Sequence, residues 1–182
     1  MGYRPRRSLD ADSAQHRFVR GTGGRPNEKD QVDVLVADHP GPWALTTRGG
    51  RAELVRAPGG TSALRKTVRC LIRDVEHGRV WELGVPDVLG ALTLKGGAYQ
   101  VDSRANDRHL EDAVVLCATV DDADALVERP EAWTGSDPAR VRALARALAG
   151  TTHPAWAQLS DRSHRLRAQA TLRILAEGPR RG

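Results

Sequence analysis

Aromatic residues are scarce in this chain of 182: four Trp, two Tyr and one Phe. Its core must therefore be aliphatic, built from Leu, Val and Ala. Lysine is scarcer still, with three against 25 arginines, a ratio that GC-rich coding DNA produces unaided. Two cysteines, Cys70 and Cys117, lie far apart and show neither metal-ligand spacing nor a disulfide framework. They read as free cytosolic thiols. No apolar run approaches the roughly 18 residues that a membrane span needs. The basic start, Met1 to Arg7, has no apolar segment behind it and is not a secretory signal. These absences exclude membrane, secreted-disulfide and zinc-finger classes. They point to a cytoplasmic protein with no membrane partner.

What is present is an ordinary globular mixture, 40% hydrophobic and 28% charged. The length predicts one domain, or one and a fragment of another. The net charge of +5 is unevenly spread: residues 1–30 carry +3, residues 151–182 carry +4, and the centre sums to −2. Basic ends favour anionic partners, nucleotide or nucleic acid.

Patterning divides the chain into a strand-like first part and a helical second part. His16–Arg20 and Gln31–Ala37 are apolar and β-branched, as strands are, with the turn-rich Gly21–Asp30 between them. An antiparallel hairpin with a long loop is expected there. His39–Pro42 ends the second strand, because proline cannot donate to a ladder. Arg51–Ala57, Val68–Arg73 and Arg79–Leu83 are shorter strand candidates, and Ala57–Gly60 and Gly49–Gly50 are turns. Four helices follow. The first runs from Pro86 to about Asp102, and the second from about Asp107 to Val120 with Leu110, Val114 and Cys117 on one face. The third starts at a Ser136 cap and carries Val141, Leu144 and Leu148. The fourth runs from about Ser160 to Glu177 with Leu159, Leu166, Ala170 and Ile174 as its stripe. The fold class is α+β: a small mixed or antiparallel sheet in residues 1–84, then a helical region in 85–178.

Three residues stand out chemically. Asp33 interrupts the apolar strand 31–37, and a carboxylate there is costly unless solvated, paired or bound to a metal. It reads either as an edge-strand surface acid or as an oxygen ligand for Mg²⁺. Lys95 sits in an apolar helical segment before Gly96-Gly97, a pair that costs about 2 kcal/mol inside a helix. Such glycines let another backbone or a ligand come close, and an ammonium there could bind phosphate as a point charge. Asp112 lies four residues after Arg108, which suits a helix-surface ion pair. Alternatively it faces the helix of Lys95 and pairs with the lysine, since helices joined by a short turn are antiparallel neighbours. The Asp10-Ala11-Asp12 pair lies in a polar context and reads as loop. No Ser/His/Asp triad and no phosphate-loop spacing is present, and the histidines are isolated.

Together, Gln31–Ala37, Pro86–Lys95 and Arg104–Leu116 resemble nucleotidyltransferase-fold proteins of the AbiEii/AbiGii toxin type. That family belongs to the polymerase-β-like nucleotidyltransferase superfamily. The resemblance spans about residues 14–118. It places Asp33 at the third carboxylate of the family's metal site, Lys95 on the helix lysine, and Asp112 on the final aspartate of the last motif. His109 stands where the family often has its first aspartate in that motif. The resemblance implies Mg²⁺ and a nucleoside triphosphate as cofactors, with RNA or an antitoxin-like protein as partner. Asp33 would then be a metal ligand. Lys95 would hold the triphosphate, and Asp112 would orient the lysine or act as base.

The family's Gly-Ser and first two carboxylates have no counterpart, as if the chain began after them. Two-metal nucleotidyl transfer needs several carboxylates. The expectation is thus a truncated, nucleotidyltransferase-like protein, weakly active or inactive alone. The alternative is a non-enzymatic module that binds nucleic acid or a partner through its basic ends.

Overall fold

The computed structural model describes residues 3–5, 17–21, 29–39, 55–104 and 106–180. The first expected hairpin forms. β1 (Arg4–Pro5), β2 (Arg17–Gly21) and β3 (Lys29–Asp33) make an antiparallel sheet in that order, with Val19 opposite Gln31. The expected strand over 31–37 is broken at Val34–Leu35. β4 (Val36–Ala37) leaves β2 and pairs in parallel with β5 (Arg56–Ala57). The pattern could not reveal the break, because Val34 and Leu35 are as apolar as the residues after them and only the strand partners differ. Asp10, Asp12, most of the Gly21–Asp30 connector and the Gly49–Gly50 turn lie outside the described residues.

After β5 the chain makes a turn and a short helix, α1 (Gly60–Arg65), where only a turn was expected. A third sheet follows, β6 (Thr67–Arg73) antiparallel to β7 (Val80–Pro86). In place of one small sheet, the described strands therefore form three. The β6–β7 register sets Val68, Cys70 and Ile72 opposite Val85, Leu83 and Trp81 on one face. Most of these side chains are about half exposed.

The helical part holds the core. α2 (Val88–Val101), α3 (Asn106–Ala118), α4 (Ala123–Val127), α5 (Asp137–Ala147) and α6 (Arg162–Glu177) complete the chain, with 3-10 turns at Pro130–Ala132 and Pro154–Gln158. Pro86 does not open α2 as expected. It ends β7, and Asp87 caps the helix by accepting the Gly90 amide. Ser136 stands at the cap position of α5 but makes no capping bond. The expected stripes on α3 and α5 are buried: Leu110, Val114 and Cys117 belong to one core cluster with Val141, Leu144 and Leu148. α6 turns differently. Its buried face is Ala168, Leu172 and Leu175, while Leu166 is 56% exposed. Of the expected stripe, Leu159 and Ile174 still pack partly against the core, so the buried face is rotated around the helix relative to the one that spacing indicated. The chain is thus α+β, and no helix among the described residues is long and apolar enough to cross a membrane.

Gly96 and Gly97 have a packing explanation. A Cβ on Gly96 would sit 2.5 Å from the carbonyl oxygen of Arg140 on α5. One on Gly97 would collide with the carbonyl of Pro58. The glycine pair admits two backbones, not a ligand, and α2 is pressed between α5 and the turn before α1.

Candidate functional site

Lys95 and Asp112 meet. Lys95 Nζ donates to Asp112 Oδ2 at 2.5 Å, joining α2 to α3. Of the two readings of Asp112, the pair with the lysine is the one observed. Both side chains keep about a third of their surface, 34% and 39%. An ammonium has three donors, and Asp112 is the one acceptor described for this one. Beside them in sequence, His109 Nε2 lies 3.2 Å from Asp102 Oδ2, while Nδ1 of the ring is buried with no described partner.

Asp33 is elsewhere. At the end of β3 it accepts Arg17 Nε at 2.8 Å and Arg17 Nη2 at 2.9 Å, a bidentate pair across the hairpin, with Gln31 also within reach. It shares no described partner with Lys95 or Asp112. The carboxylate that looked costly in an apolar strand lies exposed and paired. Mg²⁺ prefers a set of oxygen ligands. A guanidinium fills both oxygens here, and no three His, Cys, Asp or Glu side chains gather among the described residues. The described arrangement around Asp33 does not fit a Mg²⁺ site.

A more deeply buried polar cluster lies between α1 and α5, and sequence spacing did not flag it. Lys66 and Asp137 are 6% and 0% exposed by side chain. Lys66 Nζ donates to Asp137 Oδ2 at 2.8 Å, to Ser62 Oγ at 2.5 Å and to Thr134 Oγ1 at 3.2 Å. The same Oδ2 accepts the Ser62 hydroxyl and the Thr134 amide, each at 2.8 Å. Burial alone would raise the Asp137 carboxyl, but Lys66, the Thr134 amide and the Ser62 hydroxyl hold it below its ordinary value. Every donor of Lys66 is engaged. A Ser62 nucleophile would need a neutral lysine as its base. Here Lys66 Nζ donates to the Ser62 oxygen while the Ser62 hydroxyl donates to Asp137, so the cluster is a clamp. Its signal was available: Lys66 is one of the three lysines whose rarity singled out Lys95.

Beside the clamp, Asp38 accepts the Gly59 amide at 2.8 Å, the Thr61 amide at 2.9 Å and Arg140 Nη2 at 3.2 Å. Burial opposes its charge, yet these donors hold the carboxyl well below the usual carboxylate range. Gly59 has φ 88°, the left-handed conformation that glycine allows. Amides that could cradle a phosphate are therefore filled by the protein's own carboxylate. Two arginines of α6 are spent on carbonyls of the protein itself. Arg165 donates to Leu159 O at 2.7 Å and Arg167 to Ala118 O at 3.2 Å, both as packing bonds.

Comparison with family models, with curated proteins and with solved structures returns no match.

Proposed function

We propose that the chain is a nucleotidyltransferase-like protein of the toxin–antitoxin type, with Lys95 as its phosphate-handling position and little or no transfer activity alone. One observation supports this above the others. Lys95 and Asp112, which the family resemblance pairs functionally, are 2.5 Å apart on neighbouring helices and each about one-third exposed. The lysine is fixed by one bond and keeps two donors for an incoming phosphate. Asp112 is a positioning residue in this reading: it orients the ammonium and offsets part of its charge, so the phosphate is held weakly. Nucleotide, and RNA or a protein as acceptor, are what the resemblance supplies; the described residues supply no metal-centred step.

The test is titration of a fluorescent ATP analogue, with and without Mg²⁺, against the wild type and Lys95→Met. Saturable binding lost in Lys95→Met is expected. No binding, or binding indifferent to that substitution, refutes the assignment. Incubation with each labelled nucleoside triphosphate should show transfer at or near background. Strong transfer abolished in Asp33→Ala would instead make Asp33 a metal ligand and the chain a competent enzyme.

A further inference from the structure

The C-terminal halves of α5 and α6 leave a groove between them that no part of the nucleotide reading uses. One part is a partly open cavity of about 230 Å³ lined by Leu148, Trp156 and Leu172 together with Gln169, Thr151 and Arg173. About 150 Å³ is enough for a benzene ring, so one aromatic or branched aliphatic side chain fits. The groove continues as a shallower depression floored by Ala145, Ala149 and Ala176 and flanked by Arg142 and Arg146. Those two arginines are four residues apart on α5 and so share a face. Neither they nor Arg173 has a described hydrogen-bond or ion-pair partner, and no acidic residue lines either part.

We infer that this groove docks an acidic, amphipathic helical segment of a partner protein. An apolar anchor of that segment enters the cavity, and its carboxylates meet Arg142, Arg146 and Arg173. Two points favour this occupant over an RNA backbone or a free anion. The alanine floor lets a second helix approach closely while offering nothing to a phosphate. Both helices present their C-terminal halves here, where the helix dipole disfavours an anion held against the backbone. Carboxylates on a partner helix avoid that penalty, because they meet guanidinium groups at the ends of long side chains.

The probe is a fluorescein-labelled 14-residue helical peptide bearing glutamates and one phenylalanine anchor. Controls are its glutamine counterpart and a 14-nucleotide oligouridine, all read by anisotropy against the full chain. Saturable binding of the acidic peptide is expected. It should weaken roughly tenfold or more in Arg142→Glu/Arg146→Glu, in Ala149→Trp, which covers the groove, and for the glutamine peptide. Circular dichroism checks the fold. If charge reversal disturbs it, Arg142→Gln/Arg146→Gln replaces that variant. Absence of binding, equal affinity for both peptides, or indifference to either variant overturns the inference. Tighter binding of oligouridine, lost on charge reversal, overturns it in favour of nucleic acid. Lys95→Met should leave peptide binding unchanged, which separates this result from the nucleotide reading.

Discussion

Replacing Lys66 with methionine should be among the most destabilising single changes in the helical part of the chain. Methionine fills much of the same space, so the loss is electrostatic. Asp137 would remain fully buried, with Oδ1 already lacking a described partner and Oδ2 losing its ammonium. Breaking a buried ion pair from one side typically costs about 3–5 kcal/mol. Against a total stability of about 5–15 kcal/mol, that is a large share. For a chain of this size it corresponds to a fall of roughly 6–20 °C in Tm. Urea denaturation followed by tryptophan fluorescence suits the measurement, because Trp133 and Trp156 are 7% and 2% exposed. The pH dependence carries the sharper test. In the wild type the Asp137 carboxyl is held below its unfolded value, so its contribution is present above about pH 4 and disappears as pH falls through the folded pKa. In Lys66→Met the main donor is gone and burial dominates, which raises the carboxyl above its unfolded value. The variant should then be weakest near neutral pH and should recover relative to wild type in acid, as Asp137 takes up a proton. Lys66→Met/Asp137→Leu should regain most of the loss at pH 7, since an apolar pair often replaces a buried ion pair at little cost. A Lys66→Met penalty below about 1 kcal/mol, or one that does not change between pH 7 and pH 4, would show that the carboxylate is not sealed from water.

Three further outcomes follow from the packing. Gly96→Ala and Gly97→Ala should each destabilise by about 1–3 kcal/mol despite alanine's better helix propensity, because each Cβ meets a carbonyl of another segment; urea midpoints that rise instead would contradict the close approach. Asp161 caps α6, and the Ser163 hydroxyl with the His164 amide holds its carboxyl down to about 2. The cap is therefore present above about pH 4 and lost as pH falls through about 2, and Asp161→Ala should speed exchange of the His164 amide at neutral pH without changing it at the acid end. Cys117 is buried and its thiol is pushed up to about 12, whereas Cys70 is partly exposed. Iodoacetamide should modify Cys70 in the native protein and Cys117 only in denaturant; equal labelling of both would mean that the α3 face opens readily.

Helix existence was legible because its signal is local. The i, i+4, i+7 stripe on α3 and the α5 stripe depend on residues within one element, and both proved to be core. Where a decision needed a partner, sequence failed. The break at Val34–Leu35 depends on which strand each half meets. The rotation of α6 depends on what α3 and α5 offer it. The short helices α1 and α4 hold too few residues for a periodic pattern, and α1 begins in a Gly-Gly-Thr run that reads as a turn.

The same limit separates the lysines. Rarity in an Arg-rich chain marks Lys66 and Lys95 alike. What distinguishes them is how many donors of each ammonium are occupied, and that depends on residues distant in sequence. Asp137 and Thr134, about 70 positions away, combine with Ser62 to engage every donor of Lys66. Asp112, 17 positions away, engages one donor of Lys95. A lysine with all donors satisfied and no water contact holds a fold together. A lysine tethered at one donor and a third exposed is positioned and still able to bind. Occupancy of donors, more than position in a motif, therefore favours Lys95 over Lys66 as the residue that meets a ligand.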